Sequence, residues 1–499
     1  MHDLLAAIDQ GTTGTRCILF DLQGNALASA YREHRQIFPQ PGWVEHDPLE
    51  IWARAGEVIA LAVRAAPRGR IAAVGVTNQR ETTVAWDARS GRPLYNAIVW
   101  QDTRTEPDCR ALIEAGWEAD VRARTGLPIS TYFSATKMRW LLANVPNARG
   151  LAAQGHLRLG TIDSWLIWNL TGAASGGVFV TDPTNASRTM LCNLVALAWD
   201  QDLLERFAIP SSTLADVLPS AAAVPYGHTL TNGPFGSSIP VCGDLGDQQA
   251  ALVGQACFAP GDAKNTYGTG SFLLQHVGPT PARSASGLLG TAAYQFGDGR
   301  AYALEGSVAI TGAAIQWLRD NLGLISSAAE TEIIAQQVAD AGGVFFVPAF
   351  SGLFAPYWDM SARGAILGLT RYATKAHLVR ATLEAICFQS REVLDAMVAD
   401  SGQRVKALKV DGGATGNNFL MQLQADILGV PVVRPVVRET TSLGAAYAAG
   451  LASAAFSSTD ELRRIWKPDR TFEPVWGDDR RQTALAGWKR AVHRTRGWV

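Results

Sequence analysis

"DQGTTGTR", residues 9–16, stands between the apolar runs "LLAAID" (4–9) and "RCILFD" (16–21). A strand, a glycine-threonine turn and a second strand make a β-hairpin. The same device returns half a chain later, where "YGTGSF" (267–272) sits inside "NTYGTGSFLLQH" (265–276). Glycine removes the Cβ that would hold a ligand away from the backbone, so successive exposed N–H groups in such a turn form a concave anion site. Threonine hydroxyls add donors. Two such turns can hold one polyphosphate from both sides. The first also brings Asp9, a hard oxygen ligand suited to Mg²⁺, usually through water, and Arg16, a planar donor array for phosphate. A third element, "VDGGATGNN" (410–418), leaves a strand, turns on Gly412 and Gly413 and enters a helix near Asn417 and Asn418, where a base or ribose can approach the backbone. The combination points to a bound nucleotide. There is no G-x-x-x-x-G-K-[ST] and no complete G-x-G-x-x-G, so neither the P-loop nor the dinucleotide-fold route applies.

Composition narrows the class. The chain has 499 residues, 47% of them hydrophobic and 18% charged, enough for two or three globular units. Lysine plus arginine number 44 against 45 acids, which leaves no broad basic field for nucleic acid. The six cysteines (Cys17, Cys109, Cys192, Cys242, Cys257, Cys387) show no short paired spacing of the kind zinc or redox motifs need, and read as reduced, buried thiols. No run approaches the roughly 20 apolar residues that span a bilayer, and "MHDLLAAIDQ" is unlike a signal peptide. A cytoplasmic location without membrane insertion is expected.

Strand-like and helix-like segments alternate along the chain, the pattern of an α/β architecture. "PLEIWARAGEVIALAVRAA" (48–66) reads as an amphipathic helix after Asp47, with Pro48 in its first turn, and "IAAVGVT" (71–77) as a buried strand. "IPVCGDLGDQQAALVGQ" (239–255) runs from a strand through a glycine turn into a helix, which sets Asp247 near the helix start. Further helices are predicted over "GAAIQWLRDNLG" (312–323), over "KAHLVRATLEAICFQSREVLDAM" (375–397), and over "NFLMQLQADILG" (418–429), the last stopped by Gly429. A boundary near residues 250–260, where "CFAPGD" (257–262) supplies proline and glycine, divides the chain into 1–254 and 255–499, each half opening on a strand and a turn.

"DQGTT", "GWVEHDP", "TNQRETT", "NAIVWQDTR", "YFSATK", "TDPTNASRTM", "GDQQAAL", "KNTYGTG", "APYWD" and "VDGGATGNNFLMQ" occur in this order over about residues 4–455. In these motifs the chain resembles the FGGY family of carbohydrate kinases, and within it the members that act on glycerol. The resemblance implies a duplicated ribonuclease-H-like fold of the actin-type ATPases, with the active site in the cleft between the halves. It implies ATP-dependent phosphorylation of glycerol to sn-glycerol 3-phosphate and ADP with Mg²⁺, and a homo-oligomer, dimer or tetramer.

Residue by residue, the resemblance makes Asp247 the base that takes the proton from the attacking hydroxyl. Arg80, Glu81, Tyr132, Asp247 and Gln248 match residues that hydrogen-bond glycerol, and Trp100 and Phe272 the aromatic walls about its carbons. Thr12, Thr13, Gly14 and Arg16 match the first phosphate turn, Gly268 and Thr269 the second, and Gly312, Gln316, Gly413 and Asn417 further nucleotide contacts. Asp9 matches the metal-side carboxylate. Neighbours on a regular strand point to opposite faces, so Arg80 and Glu81 can share a ligand only if the backbone leaves the sheet there. Gly14 stands where many relatives have serine, and Phe354 where a glycine is usual. The stretch "NGPFGSSIP" (232–240) lacks the Gly-Arg loop through which some relatives bind fructose 1,6-bisphosphate, and His228 lies out of register with a histidine phosphorylated in others, so neither control is expected. Two competing readings are a kinase for a longer sugar, such as xylulose or gluconate, and an actin-like scaffold without turnover.

Overall fold

The computed structural model describes residues 2–350 and 352–499. Its frame is two mixed sheets built on one plan. The first has six strands in the order Gly227–His228, Pro240–Gly246, Gly69–Asn78, His2–Gln10, Gly14–Phe20, Ala26–Glu33. The middle three run parallel, and His2–Gln10 pairs antiparallel with Gly14–Phe20, the predicted hairpin, in the register Asp9 to Arg16. The second has seven, in the order Leu289–Phe296, Gly299–Val308, Ser271–Gly278, Ala263–Tyr267, Leu408–Asp411, Val432–Pro435, Pro468–Phe472. Here Ala263–Tyr267 pairs antiparallel with Ser271–Gly278, the second predicted hairpin, and parallel with Leu408–Asp411. Each sheet therefore carries a glycine-threonine turn at the end of a parallel strand, the end at which open α/β sheets bind ligands.

Helices cover both faces of the first sheet. Pro48–Ala65 starts where Asp47 accepts a hydrogen bond from the Leu49 amide and buries Ile51, Ala55, Val58, Ile59 and Ala62 against one face, packed with the helix Ile162–Leu170. The other face is covered by Asp247–Gly254 and, from the far end of the chain, Thr440–Ala452. That contact is made backbone to backbone. A Cβ on Gly75 would lie 2.0 Å from the Ala445 carbonyl oxygen, one on Gly254 1.9 Å from that of Thr440, and one on Gly444 1.8 Å from that of Ala250. In the second half the core gathers about the long helix Lys375–Ser401. The helix Asn418–Leu428 ends as read from the sequence, with Gly429 at φ +70°. All six cysteines are buried and free.

Candidate active site

The strand Gly69–Asn78 stops just short of Arg80, where the chain makes a tight turn: the Thr82 amide donates to the Arg80 carbonyl at 2.7 Å, and Glu81 lies at φ +63°. A left-handed conformation is costly for a residue with a side chain and persists where its surroundings demand it. The break in the strand is the one expected from the sequence; what it brings about is that the two neighbouring side chains enter one ionic network. Arg80 and Glu81 keep 3% and 1% of their surface exposed. Arg80 faces Glu305 with both terminal nitrogens, Nη2 at 3.1 Å from Oε1, gives Nη1 to Gln249 Oε1 at 3.1 Å, and sets Nε 3.1 Å from Asp247 Oδ1. Arg188 gives Nε to Glu81 at 2.6 Å and Nη2 to Glu305 at 3.0 Å. Burial opposes charge on Glu305, but Arg188 and Arg80 outweigh it and hold the carboxyl down to about 2. On Glu81 burial prevails over Arg188 and Arg80 and raises the pKa.

Asp247 is the first residue of the helix Asp247–Gly254 and does not serve as its cap, a position taken by Gly246. A Cβ on Gly246 would sit 2.8 Å from the Arg80 side chain, so glycine is what lets the arginine pass. Asp247 Oδ1 accepts from the Gln248 amide at 2.7 Å, and the side chain keeps 27% exposure. Desolvation raises its pKa, against the opposing pull of Arg80 and Lys264. Lys264, from the strand Ala263–Tyr267 of the second sheet, donates to Gln248 Oε1 at 2.5 Å, Thr266 Oγ1 at 2.9 Å and the Phe272 carbonyl at 3.3 Å. Burial pulls its own pKa down to about 8.

Three aromatic rings stand beside these groups. Trp100 lies 5.5 Å from Tyr132 and 6.4 Å from Phe272, centroid to centroid. Tyr132 is fixed by Lys137, whose ammonium donates to the carbonyls of Thr131, Tyr132 and Phe133 at 2.6, 2.7 and 3.1 Å. Trp100 belongs to the first half and Phe272 comes just after the second turn, so the two turns approach one wall.

A cavity of about 550 Å³ opens next to the second turn, lined by Gly268, Thr269, Gly312, Gln316, Gly413 and Asn417 among others. All six nucleotide-side residues of the second half thus share one space. The turn is packed tightly from behind: a Cβ on Gly412, which has φ +91°, would lie 2.2 Å from the Tyr267 carbonyl oxygen, and one on Gly312 2.6 Å from that of Gly268. Asn417 also caps the helix Asn418–Leu428 through the Leu420 amide and donates to Thr331. The first turn does not line this cavity. Its Thr12 accepts from the Trp100 indole at 2.9 Å, Thr13 is 3.4 Å from the Tyr31 hydroxyl, and the Cβ position of Gly14 falls 2.6 Å from that hydroxyl. Arg16 pairs with Glu439 and lies over the Tyr31 ring. Asp9 accepts from Ser442 at 2.9 Å, and burial raises its pKa to about 6 in spite of Arg16. Among the described residues no group of three or more His, Cys, Asp or Glu is arranged to hold a metal ion. His228 is exposed.

Arg188, Glu305 and Lys264 are not foreseen from the sequence as members of the site. The signal was there for Glu305, a lone carboxylate in the middle of the apolar run "AYALEGSV" (301–308), where a buried charge demands a buried partner.

Residues 4–254 match the N-terminal domain of the FGGY family of carbohydrate kinases, and residues 263–453 its C-terminal domain. The chain is 57% identical over 501 residues to a glycerol kinase of Mycobacterium tuberculosis, covering 100% of this chain and 97% of that one. It is 58% identical over 502 residues to a glycerol kinase of Chloroflexus aggregans, covering 100% of both. Among solved structures, that of Plasmodium falciparum glycerol kinase with ADP superposes with a TM-score of 0.93 at 37% identity, covering 99% of this chain and 98% of that one.

Proposed function

The chain belongs to the FGGY family of carbohydrate kinases, and from that premise we propose that it transfers the terminal phosphoryl group of ATP to glycerol, giving sn-glycerol 3-phosphate and ADP. Phosphoryl transfer asks little covalent chemistry of a protein; it asks for alignment of donor and acceptor, charge stabilisation and a carboxylate within reach of the nucleophile. Asp247 is that carboxylate. Its Oδ2 takes the proton from the terminal hydroxyl as that oxygen attacks the phosphorus. Desolvation makes it a better base than an ordinary aspartate, against the opposing pull of Arg80 and Lys264. Arg80, Glu81, Tyr132 and Gln248 meet the polyol's hydroxyls, and Trp100 and Phe272 pack on its carbons. A pocket built to satisfy hydroxyls rejects molecules that lack them by large factors, because its own polar groups are then left unpaired.

The adenosine is assigned to the cavity of about 550 Å³, and the phosphates to the two turns, Thr12, Thr13, Gly14 and Arg16 on one side and Gly268 and Thr269 on the other. To reach the phosphates, Arg16 must exchange Glu439 for them as the halves draw together, which also excludes water and suppresses hydrolysis of ATP. Asp9 and the phosphate oxygens would hold Mg²⁺, which would neutralise the transferring charge. Residues 1–254 carry most of the glycerol site and the first phosphate turn, and 255–499 bind the nucleotide and add Phe272 to the acceptor wall. With ATP as donor, the reaction is assigned to the cytoplasm.

The observation that carries this reading is the juxtaposition of Arg80, Glu81, Asp247 and Gln248 with the rings of Trp100, Tyr132 and Phe272 at the place where both turns arrive. The test is ADP release from MgATP with glycerol, a pentulose or gluconate as acceptor. Release with glycerol, and formation of sn-glycerol 3-phosphate, is the expected result. Release with the pentulose or gluconate alone would replace the acceptor, and release with none would leave a nucleotide-dependent scaffold.

A further inference from the structure

Of the three carboxylates about Arg80, Glu81 stands off at 3.9 Å from Nε, and the other two compete for the guanidinium. Glu305, wholly buried on the strand Gly299–Val308 of the second half, takes the two-pronged face of the guanidinium through Nη1 and Nη2. Asp247 receives only the side position, Nε at 3.1 Å, and both this contact and that of the Gln248 amide fall on one oxygen, Oδ1. A carboxylate that accepts the fork of an arginine gains two charge-assisted hydrogen bonds, the strongest geometry available to the pair, and becomes a correspondingly poor base. Arg188 completes the arrangement by gripping Glu305 Oε1 at 3.0 Å from the other flank, and Glu81 holds Arg188 in turn at 2.6 Å.

We propose that Glu305 is a positioning residue for the acceptor reaction: by occupying the fork of Arg80 it keeps that fork away from Asp247, leaves Oδ2 open to the acceptor hydroxyl, and preserves the basicity of the carboxylate that must take the proton. This rests on the assignment of Asp247 as the base. It does not depend on which polyol is the acceptor. The groups whose charge reaches Asp247 are Arg80, Lys264, Glu305 and, at the end of a strand of the same sheet, Asp9. When Glu305 loses its charge, a repelling carboxylate disappears and Arg80 becomes free to swing its fork onto Asp247. Both changes lower the pKa of Asp247.

The experiment is the pH profile of kcat/KM for the parent, Glu305→Gln and Glu305→Asp, with whichever acceptor the parent turns over best. In Glu305→Gln the acid limb is expected to move to lower pH by about one unit, the size of effect an opposite charge at contact produces, while kcat falls at least tenfold and the KM for ATP stays within twofold. Glu305→Asp, which keeps the charge on a shorter arm, is expected to lie between the two, and it decides the matter if the glutamine variant does not fold. An acid limb that stays in place in the variants that fold, even if the KM for acceptor rises, would overturn the proposal and leave Glu305 as a structural ion-pair partner. A parent that is inactive with glycerol but active with another polyol overturns the choice of acceptor without touching Glu305. A parent active on its acceptor with Asp247→Asn undiminished overturns the base and the role of Glu305 together.

Discussion

The indole N–H of Trp100 donates to the hydroxyl of Thr12 across 2.9 Å, so that the ring proposed as a wall of the acceptor pocket is fastened to the first glycine-threonine turn. The same ring touches Phe272 just past the second turn. Movement of either turn is therefore felt by the surface on which the polyol's carbons rest. Thr12→Val removes the acceptor of this bond at nearly constant volume. It is expected to raise the KM for glycerol and that for ATP together and lower kcat/KM about five- to tenfold, as loss of a hydrogen bond of roughly 1 kcal/mol does. Thr12→Ser should restore most of it. A change confined to the ATP KM would show that the link carries nothing to the acceptor.

Asp247→Asn preserves shape and removes the proposed base. Turnover is expected to fall by about 10²–10⁴-fold, the usual worth of a positioned proton acceptor. ADP binding by calorimetry should stay within twofold, since the side chain lies apart from the adenosine cavity.

The pH profile should be bounded by two groups, the half-buried Asp247 and the buried Lys264. Asp247 acts as carboxylate, and its pKa is raised, so kcat/KM is lost as pH falls through a value above the ordinary aspartate range. Lys264 acts as ammonium, orienting Gln248 and steadying Asp247, and its pKa is lowered to about 8. Activity is therefore present below about 8 and declines as the pH rises through it. Lys264→Met should lower kcat/KM at every pH and abolish the alkaline limb. An unchanged limb in that variant would assign it to another group, such as Lys137, whose pKa burial also lowers to about 8.

Gly444→Ala offers a test of packing with a reversed sign. Inside a helix, alanine is normally favoured over glycine by roughly 0.5–1 kcal/mol. Here the added methyl would meet the Ala250 carbonyl oxygen at 1.8 Å, so the variant is expected to lose roughly 1–3 kcal/mol in urea unfolding. Gly413→Ala is the counterpart. Its Cβ meets no protein atom within 4 Å, so stability should hold while the methyl intrudes on the nucleotide cavity and the KM for ATP rises.

What the sequence disclosed, and what it withheld, divide along a physical line. Local grammar was legible: an apolar run, glycines and threonines, another apolar run marked both hairpins, Asp47 before Pro48 a helix start, and Gly429 a helix end. The turn at Arg80 and Glu81 could be foreseen from strand alternation together with the demand that both side chains reach one ligand. The roles of the site residues came from family motifs, since an Arg-Glu neighbour pair reads by itself as a solvated surface. The ring of charge formed by Arg80, Glu305, Arg188 and Glu81 was not legible, because its members lie up to 225 positions apart and only tertiary structure brings them together. The crossing of Thr440–Ala452 onto the first sheet was hidden for the same reason. Nothing in "TTSLGAAYAAGLA" says which surface will receive its small residues.

The packing of Thr440–Ala452 onto the sheet of the opposite half bears on how this protein can be cut. A fragment ending after the first 254 residues would leave bare the apolar face that this helix covers, and the remainder would carry an unsheltered helix lined with alanine and glycine. Neither piece is a self-sufficient building block. Produced apart they should be insoluble, and produced together they should find one another, which makes the loop about Ala259 and Pro260 a natural breakpoint for a two-fragment reporter that regains activity only on reassembly.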